Sequence, residues 1–177
     1  MELNIKRVLY ATDLSTNSAY VFRYAVDMAK RYGARIVVLH VIEQLSPTAE
    51  MLISFHLDKL RQAALKKEKI NHVTDEVRRQ LKSFCDSELE GDPLADVLVE
   101  KIDVCEGYPV EEILKKVDAY RCDAIVMGTH GKGLIRNTFL GSTARRLLRR
   151  VRQPVVVVPL PRDETMVTVQ TPPPPTR

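Results

Sequence analysis

The sequence predicts an α/β protein in which one parallel β-sheet lies between two layers of helices. Short apolar runs rich in β-branched residues alternate with longer segments whose apolar residues recur every three or four positions. The length of 177 residues and the hydrophobic content of 45% fit one domain. We place this domain at residues 1–160. A proline-rich tail at 161–177, which has no core-forming pattern, is predicted to be disordered.

The first half of the domain shows the alternation most clearly. Residues Ile5–Ala11 form a short apolar run and are predicted as the first strand. An amphipathic helix follows, with Ser15 or Thr16 as its N-cap and Gly33 as its C-terminal stop. Residues Ile36–Ile42 form a β-branched apolar run, which is typical of a strand buried on both faces.

The second half continues the same pattern after a long charged stretch. Residues 47–90 carry apolar residues at approximately helical spacing and predict one long helix or two broken ones. The remaining predicted elements are a third strand over Val97–Cys105 near a sheet edge, a helix with Pro109 at its N1 position, a fourth strand over Ala124–Met127, a helix from Gly141-Ser142 and a fifth strand over Val155–Val158.

Composition excludes several classes of protein. The formal charge of +4 is too small to require a nucleic acid, and no apolar run is long enough to span a membrane. The N-terminal residues lack the apolar region of a secretory signal, so a cytoplasmic location is expected. Three widely spaced cysteines, Cys85, Cys105 and Cys122, predict buried free thiols.

Two strand ends carry the residues that indicate a binding site. Thr12-Asp13 follows the first strand, and a glycine-containing loop follows the fourth strand and leads to the predicted helix start at Gly141. Glycines let backbone amides approach a bound group, and a helix start favours an anion. The stretch from Lys132 to Arg152 holds no acidic residue, so its field favours phosphate. Its basic positions are 132, 136, 145, 146, 149, 150 and 152.

Generic phosphate motifs do not describe this loop. Leu134 and Ile135 stand where a Walker A sequence needs Lys and Ser or Thr, and Arg136 replaces the third glycine of a dinucleotide fingerprint. Instead, Gly128-x2-Gly131-x9-Gly141-Ser142 resembles the nucleotide-binding signature of the universal stress protein family. Residues 8–15 and 38–41 are similar to that family's first two strand motifs.

The resemblance implies a fold, a ligand and an assembly. Members of that family have an adenine nucleotide alpha-hydrolase-like fold with a five-stranded sheet in the order 3-2-1-4-5. They usually form homodimers through the fifth strand, which is Val155–Val158 in this sequence. Because all three signature glycines and Ser142 are present, the sequence is similar to the ATP-binding group. ATP and Mg²⁺ are therefore the expected ligands, with Asp13 reaching the metal indirectly. An unknown downstream protein is also expected, in keeping with a stress-response switch.

The resemblance also assigns residues to the nucleotide. Asp13 and Val41 would contact the ribose and adenine, helped by the backbone at Thr12. Ala11 stands where many ATP-binding members have proline, which leaves that turn less rigid. The other expected contacts, mostly with the phosphates, are Met127, Gly128, Thr129, Gly131, Lys132, Gly133, Gly141, Ser142 and Thr143.

Other interpretations of the same residues remain open. Asp13 alone would often cap a turn, and His40, inside an apolar run, is most simply a core or sheet-edge histidine. A second hypothesis is a nucleotide-free interaction module that docks a protein or nucleic acid through the arginine-rich helix. A third is an enzyme that transfers an adenylyl group. The sequence shows no residue that is well placed to activate water, so we expect ATP hydrolysis to be slow at most.

Overall fold

The structure is a computed structural model that describes residues 4–44, 59–129 and 140–159, with side chains from residue 71 onward in its longest helix. Five parallel strands form one sheet in the order β3-β2-β1-β4-β5, which confirms the predicted fold class and strand order. The predictions for 47–58, 130–139 and 161–177 lie outside the described residues. No helix in the described ranges is long and apolar enough to cross a bilayer. The strands are β1 (Arg7–Thr12), β2 (Arg35–Glu43), β3 (Val99–Gly107), β4 (Ala124–Gly128) and β5 (Val155–Val158).

Helices cover both faces of the sheet and create two separate cores. The helices are α1 (Ser18–Tyr32), α2 (Lys59–Glu88), α3 (Ala95–Leu98), α4 (Pro109–Ala119) and α5 (Ser142–Leu148). On one face, α1, α2 and α3 pack on a core that includes Tyr10 and Phe22, whose ring centroids are 5.2 Å apart. On the other face, α4 and α5 bury Ile113 and Leu147 against Leu9 of β1. Alternate strand residues therefore point into different cores, as a pleated strand requires.

Helix α1 begins later than its sequence predicts. We expected Ser15 or Thr16 as the N-cap, but the cap is Asn17, and its side chain makes no capping bond. Ser15 is instead part of a turn, since its amide donates to Asp13 and its carbonyl accepts from the amide of Ser18 at 3.0 Å. The predicted end is confirmed, because Gly33 adopts the left-handed conformation with φ of 62°.

The region before β3 also differs from its prediction. The third strand begins at Val99 rather than Val97, because α3 occupies Ala95–Leu98, a helix too short to give a periodic signal. β3 is an edge strand, as expected. Pro109 is confirmed at the start of α4, where its missing amide costs nothing.

The three cysteines are free, but only two of them are fully buried. Cys85 and Cys122 are buried as predicted, whereas Cys105 is half-buried on the edge strand, so the prediction was wrong for that residue. Burial raises the pKa of Cys85 and Cys122 to about 12 and that of Cys105 to about 11. All three are therefore protonated and poorly nucleophilic at neutral pH.

A polar cluster joins β3 to α4 and gives a pH-dependent stability prediction. Asp103 accepts hydrogen bonds from Tyr120 and Lys116, each at 2.6 Å. Burial alone would raise the pKa of Asp103, but these two bonds outweigh it and lower the pKa. The stabilisation is therefore present above the ordinary carboxyl pKa and is lost as the pH falls through the lowered value.

We expect Asp103→Asn to lower the free energy of unfolding by about 1–2 kcal/mol at neutral pH. The difference from the parent protein should shrink in acid, because the parent carboxylate is then protonated as well. Urea unfolding of both proteins at neutral pH and near pH 3 measures this, and a difference that stays constant with pH would contradict the assignment.

Candidate functional site

The candidate site lies where the order of the sheet reverses. The chain moves outward from β1 to β2 and β3 on one side, and then continues with β4 and β5 on the other. A crevice forms at such a switch point, outside the carboxyl ends of the two central strands. Ala11 pairs with Met127 at this edge, so Thr12 and Gly128 are the next residues along β1 and β4.

The turn after β1 is held by its own side chains. The amide of Ser15 donates to Asp13 Oδ1 at 3.2 Å, and the amide of Leu14 donates to Thr12 Oγ1 at 3.1 Å. Leu14 adopts a positive φ of 58°, which is uncommon outside glycine. The bond from Ser15 fixes the direction of the Asp13 carboxylate, although position 11 is alanine and not proline.

One oxygen of Asp13 stands out among the polar atoms of the described chain. Asp13 Oδ2 is buried and has no hydrogen-bond partner among the described residues. A buried polar atom of this kind usually costs about 1–3 kcal/mol, and native proteins pair nearly all of them. A bound ligand or ion that supplies a donor or a positive charge would remove that cost.

Hydrogen bonds from β2 and α1 hold the end of β1 that leads into this turn. His40 Nδ1 lies 2.8 Å from the carbonyl oxygen of Thr12, and because a carbonyl only accepts, Nδ1 carries the proton. Ser18 is held by the hydroxyls of Tyr10, at 2.8 Å to its carbonyl, and Thr12, at 3.0 Å to its Oγ. His40 is buried, as its apolar surroundings predicted. Its contact with Thr12 makes it a positioning residue for the candidate site.

The start of α5 is tied directly to the end of β4. The amide of Gly141 donates to the Thr129 carbonyl at 2.7 Å, and the amide of Thr129 donates to the Val158 carbonyl at 3.0 Å. Gly141 is the N-cap of α5, followed by Ser142, which is exposed, and Thr143, which is half-buried. The structure therefore brings the predicted phosphate contacts at both ends of the glycine loop together at one sheet edge.

Three apolar residues of the predicted set lie near the carboxyl ends of their strands. Ala11, Val41 and Met127 belong to the core beneath α4 and α5, so their side chains share one face of the sheet. Ala11 and Val41 remain partly exposed, whereas Met127 is buried. An exposed aliphatic surface beside polar groups is suited to the flat face of a heterocyclic base.

The predicted site residues fall into two groups. The structure gathers most of them at the carboxyl edge of the sheet, whereas Gly131, Lys132 and Gly133 lie outside the described residues, as does the histidine at position 130. The gathered residues are Ala11, Thr12, Asp13, Val41, Met127, Gly128, Thr129, Gly141, Ser142 and Thr143.

Sequence reasoning missed part of the lining beside Asp13. Ser15, Asn17 and Ser18 line a small pocket with Asp13 and Gly128. Its volume of about 20 Å³ suits roughly one water molecule. The run of small polar residues from 15 to 18 is the available signal in the sequence, but such a run is also typical of a helix cap.

Asp13 fits the role of an indirect partner for a metal ion. Within the described ranges, no three His, Cys, Asp or Glu residues gather closely enough to form a protein cage for a metal. Mg²⁺ commonly keeps several waters and takes one or two carboxylates together with phosphate oxygens. Asp13 Oδ2 has no partner among the described residues and Asp13 lines a water-sized pocket, so it is the carboxylate here that could accept from a metal-bound water.

Comparison with known proteins gives consistent results. The sequence profile of the universal stress protein family matches residues 4–159. The chain is 28% identical over 167 residues to universal stress protein MJ0577 of Methanocaldococcus jannaschii, covering 89% of this chain and 97% of that protein. It is 30% identical over 160 residues to universal stress protein A of Photorhabdus laumondii, covering 90% and 98%.

Solved structures agree with these sequence matches. The structure of MJ0577 superposes with a TM-score of 0.64 at 25% identity, covering 90% of this chain and 99% of that one. A universal stress protein solved in complex with cAMP shares the fold, with a TM-score of 0.56 at 16% identity over 88% of this chain and 97% of that one. A family profile that spans residues 4–159, together with this sheet order, shows that the chain belongs to the universal stress protein family.

Proposed function

We propose that this protein binds an adenine nucleotide, namely ATP with Mg²⁺, in the crevice between the ends of β1 and β4. The observation that carries the proposal is the buried Asp13 Oδ2, which lacks a partner among the described residues and lies beside Gly128 at the switch point. Leaving a carboxylate oxygen in that state lowers stability unless a ligand uses it. The relative solved with cAMP supports the ligand class, because an adenine nucleotide binds to a protein of the same fold.

Each side of the crevice has its own part in the proposal. Asp13 accepts from a ribose hydroxyl or from a water on the metal, and Val41 and Ala11 pack on the adenine. Bound Mg²⁺ would neutralise part of the phosphate charge and orient the phosphate oxygens. The phosphate contacts are the groups at Met127, Gly128, Thr129, Gly141, Ser142 and Thr143, with Gly131, Lys132 and Gly133 added by the family resemblance.

The proposed role is a nucleotide-dependent switch or scaffold with slow hydrolysis at most. Among the described residues that line the pocket, Asp13 is the one with a carboxylate. Its Oδ1 already accepts a hydrogen bond from the Ser15 amide. A general base for hydrolysis must reach the attacking water with a free lone pair. A carboxylate used for ribose or metal-bound water does not serve that purpose well, so binding rather than turnover is the proposed output.

We further propose a cytoplasmic homodimer that signals to a downstream protein. Three free thiols suit a reducing compartment. β5 is an edge strand whose first three valines are only half-buried, and an apolar edge with open backbone groups favours pairing. A second copy of β5, antiparallel across a two-fold axis, would cover this edge.

Calorimetric titration of the nucleotide-stripped protein tests the proposed ligand. We expect ATP to bind with micromolar affinity in the presence of Mg²⁺ and at least tenfold more weakly without it. AMP should bind more weakly than ATP, because it lacks the two phosphates that reach β4 and α5. Absence of heat at millimolar ATP would contradict the proposal and favour the nucleotide-free interaction module.

A further inference from the structure

The exposed side of α5 and the segment that follows it carry arginines that the proposed nucleotide site does not use. Arg145 and Arg146 lie in the last turn of α5, Arg149 is its C-cap three and four residues later, and Arg152 lies in the segment between α5 and β5. All four are exposed. The opposite face of the helix is buried through Ala144 and Leu147. We call these four residues the arginine stripe.

The stripe is distinguished by charges that have no acidic partner among the residues that the structure describes. No described carboxylate contacts any of its four arginines, and the sequence holds no Asp or Glu between Asp123 and Asp163. Most arginines elsewhere in the described chain do contact a carboxylate. Those pairs are Arg7–Glu100, Arg23–Glu88, Arg31–Asp27, Arg78–Asp75, Arg79–Glu76 and, at the edge of α5 itself, Arg150–Glu111.

We infer that the arginine stripe is a docking surface for an acidic segment of a partner protein. Guanidinium groups bind carboxylates through two parallel hydrogen bonds, so a row of them suits the side chains of Asp and Glu. Leu148 lies three residues after Arg145, about one helical turn, and is 44% exposed. It offers an apolar contact next to the charges. The segment that fits therefore has several carboxylates and at least one aliphatic side chain.

A nucleic acid fits the same surface less well. Single strands bind through aromatic side chains that stack on bases, and none of the described residues from 140 to 159 is aromatic. Duplexes need a longer positive surface that neutralises many phosphates. Among the described residues, the neighbouring Arg150 already pairs with Glu111, so it adds no unpaired charge to the stripe.

Fluorescence anisotropy with labelled probes tests this inference on the full-length protein. The first probe is a short peptide of glutamates interspersed with leucines, the second replaces the glutamates by glutamines, and the third is a single-stranded RNA with the same number of negative charges. At physiological salt we expect the glutamate peptide to bind at least tenfold more tightly than the other two. The variant Arg145→Gln, Arg146→Gln, Arg149→Gln should weaken its binding at least tenfold.

A matched control separates the stripe from general charge. The variant Arg31→Gln, Arg78→Gln, Arg79→Gln removes the same charge from exposed arginines that already have carboxylate partners, so peptide binding should stay within about twofold. Equal losses in both variants, no peptide binding by the parent protein, or tighter binding of RNA than of peptide would each overturn the inference. All titrations are run without nucleotide, so their outcome is independent of the proposed ATP site.

Discussion

Asp13→Asn should weaken ATP binding in the presence of Mg²⁺ by tenfold or more while leaving the free protein at least as stable. The amide oxygen still accepts from the Ser15 amide, so the turn after β1 is kept. The unpartnered negative charge at Oδ2 is removed, and a neutral group is less costly to bury than a charged one. Calorimetry measures the affinity, and thermal unfolding of the nucleotide-free protein measures the stability.

Asp118→Asn is the matched control for this substitution. Asp118 is exposed near the end of α4, which leads back to the amino ends of the strands, at the opposite edge of the sheet. It should change neither affinity nor stability. If Asp13→Asn instead lowered the free energy of unfolding by more than about 1 kcal/mol and left ATP binding intact, Asp13 would be a turn residue and not a ligand.

Val157→Pro should convert the proposed dimer into a monomer. The amides of Ile125 and Thr129 donate to the carbonyls of Pro154 and Val158, so alternate residues of β5 face β4. By the same alternation the backbone groups of Val157 face the open edge. Proline at this position removes a donor from that edge without removing a hydrogen bond to β4. Analytical ultracentrifugation at micromolar concentration measures the change.

Two companion variants make this result interpretable. Val157→Ala keeps the amide and should remain a dimer, whereas Val156→Pro removes an amide that faces β4 and should destabilise the sheet itself. Circular dichroism checks that Val157→Pro retains its fold. A parent protein that sediments as a monomer, or a Val157→Pro protein that remains a dimer, would contradict pairing through β5.

The fold was predictable because its signals are local and repeated. Four of the five strands coincide with apolar runs, and β3 coincides with a segment of alternating character. Gly33 and Pro109 mark a helix end and a helix start through their own backbone preferences. The predicted start of α1 was wrong because a side chain competes with the helix for a backbone amide. Asp13 draws the Ser15 amide into a turn, so α1 begins at Ser18 instead of directly after Ser15 or Thr16.

The candidate site was predictable only in part, because its decisive features are tertiary. Motif spacing placed Asp13 and Gly128 at the ends of two strands, and parallel pairing of β1 with β4 brings those ends together. The unpartnered state of Asp13 Oδ2 and the contact of His40 with Thr12 depend on how separate strands pack. No periodicity in the sequence contains that information.

The arginine stripe shows the opposite relation between sequence and structure. Its charges are plain in the sequence, but a run of arginines on a helix is often only a solvated surface. The structure adds that Arg150 has a carboxylate partner, whereas Arg145, Arg146, Arg149 and Arg152 contact none of the described carboxylates. That difference is what turns an excess of charge into a specific hypothesis about a partner.

A crystal structure of the protein grown with ATP and Mg²⁺ tests the central claim most directly. The account predicts the nucleotide at the carboxyl ends of β1 and β4, with adenine against Val41, phosphates between Gly128 and the start of α5, and Asp13 Oδ2 bonded to ribose or to a metal-bound water. Nucleotide bound elsewhere, for example along the arginine stripe, or an Asp13 Oδ2 that remains without a partner in the complex, would contradict it.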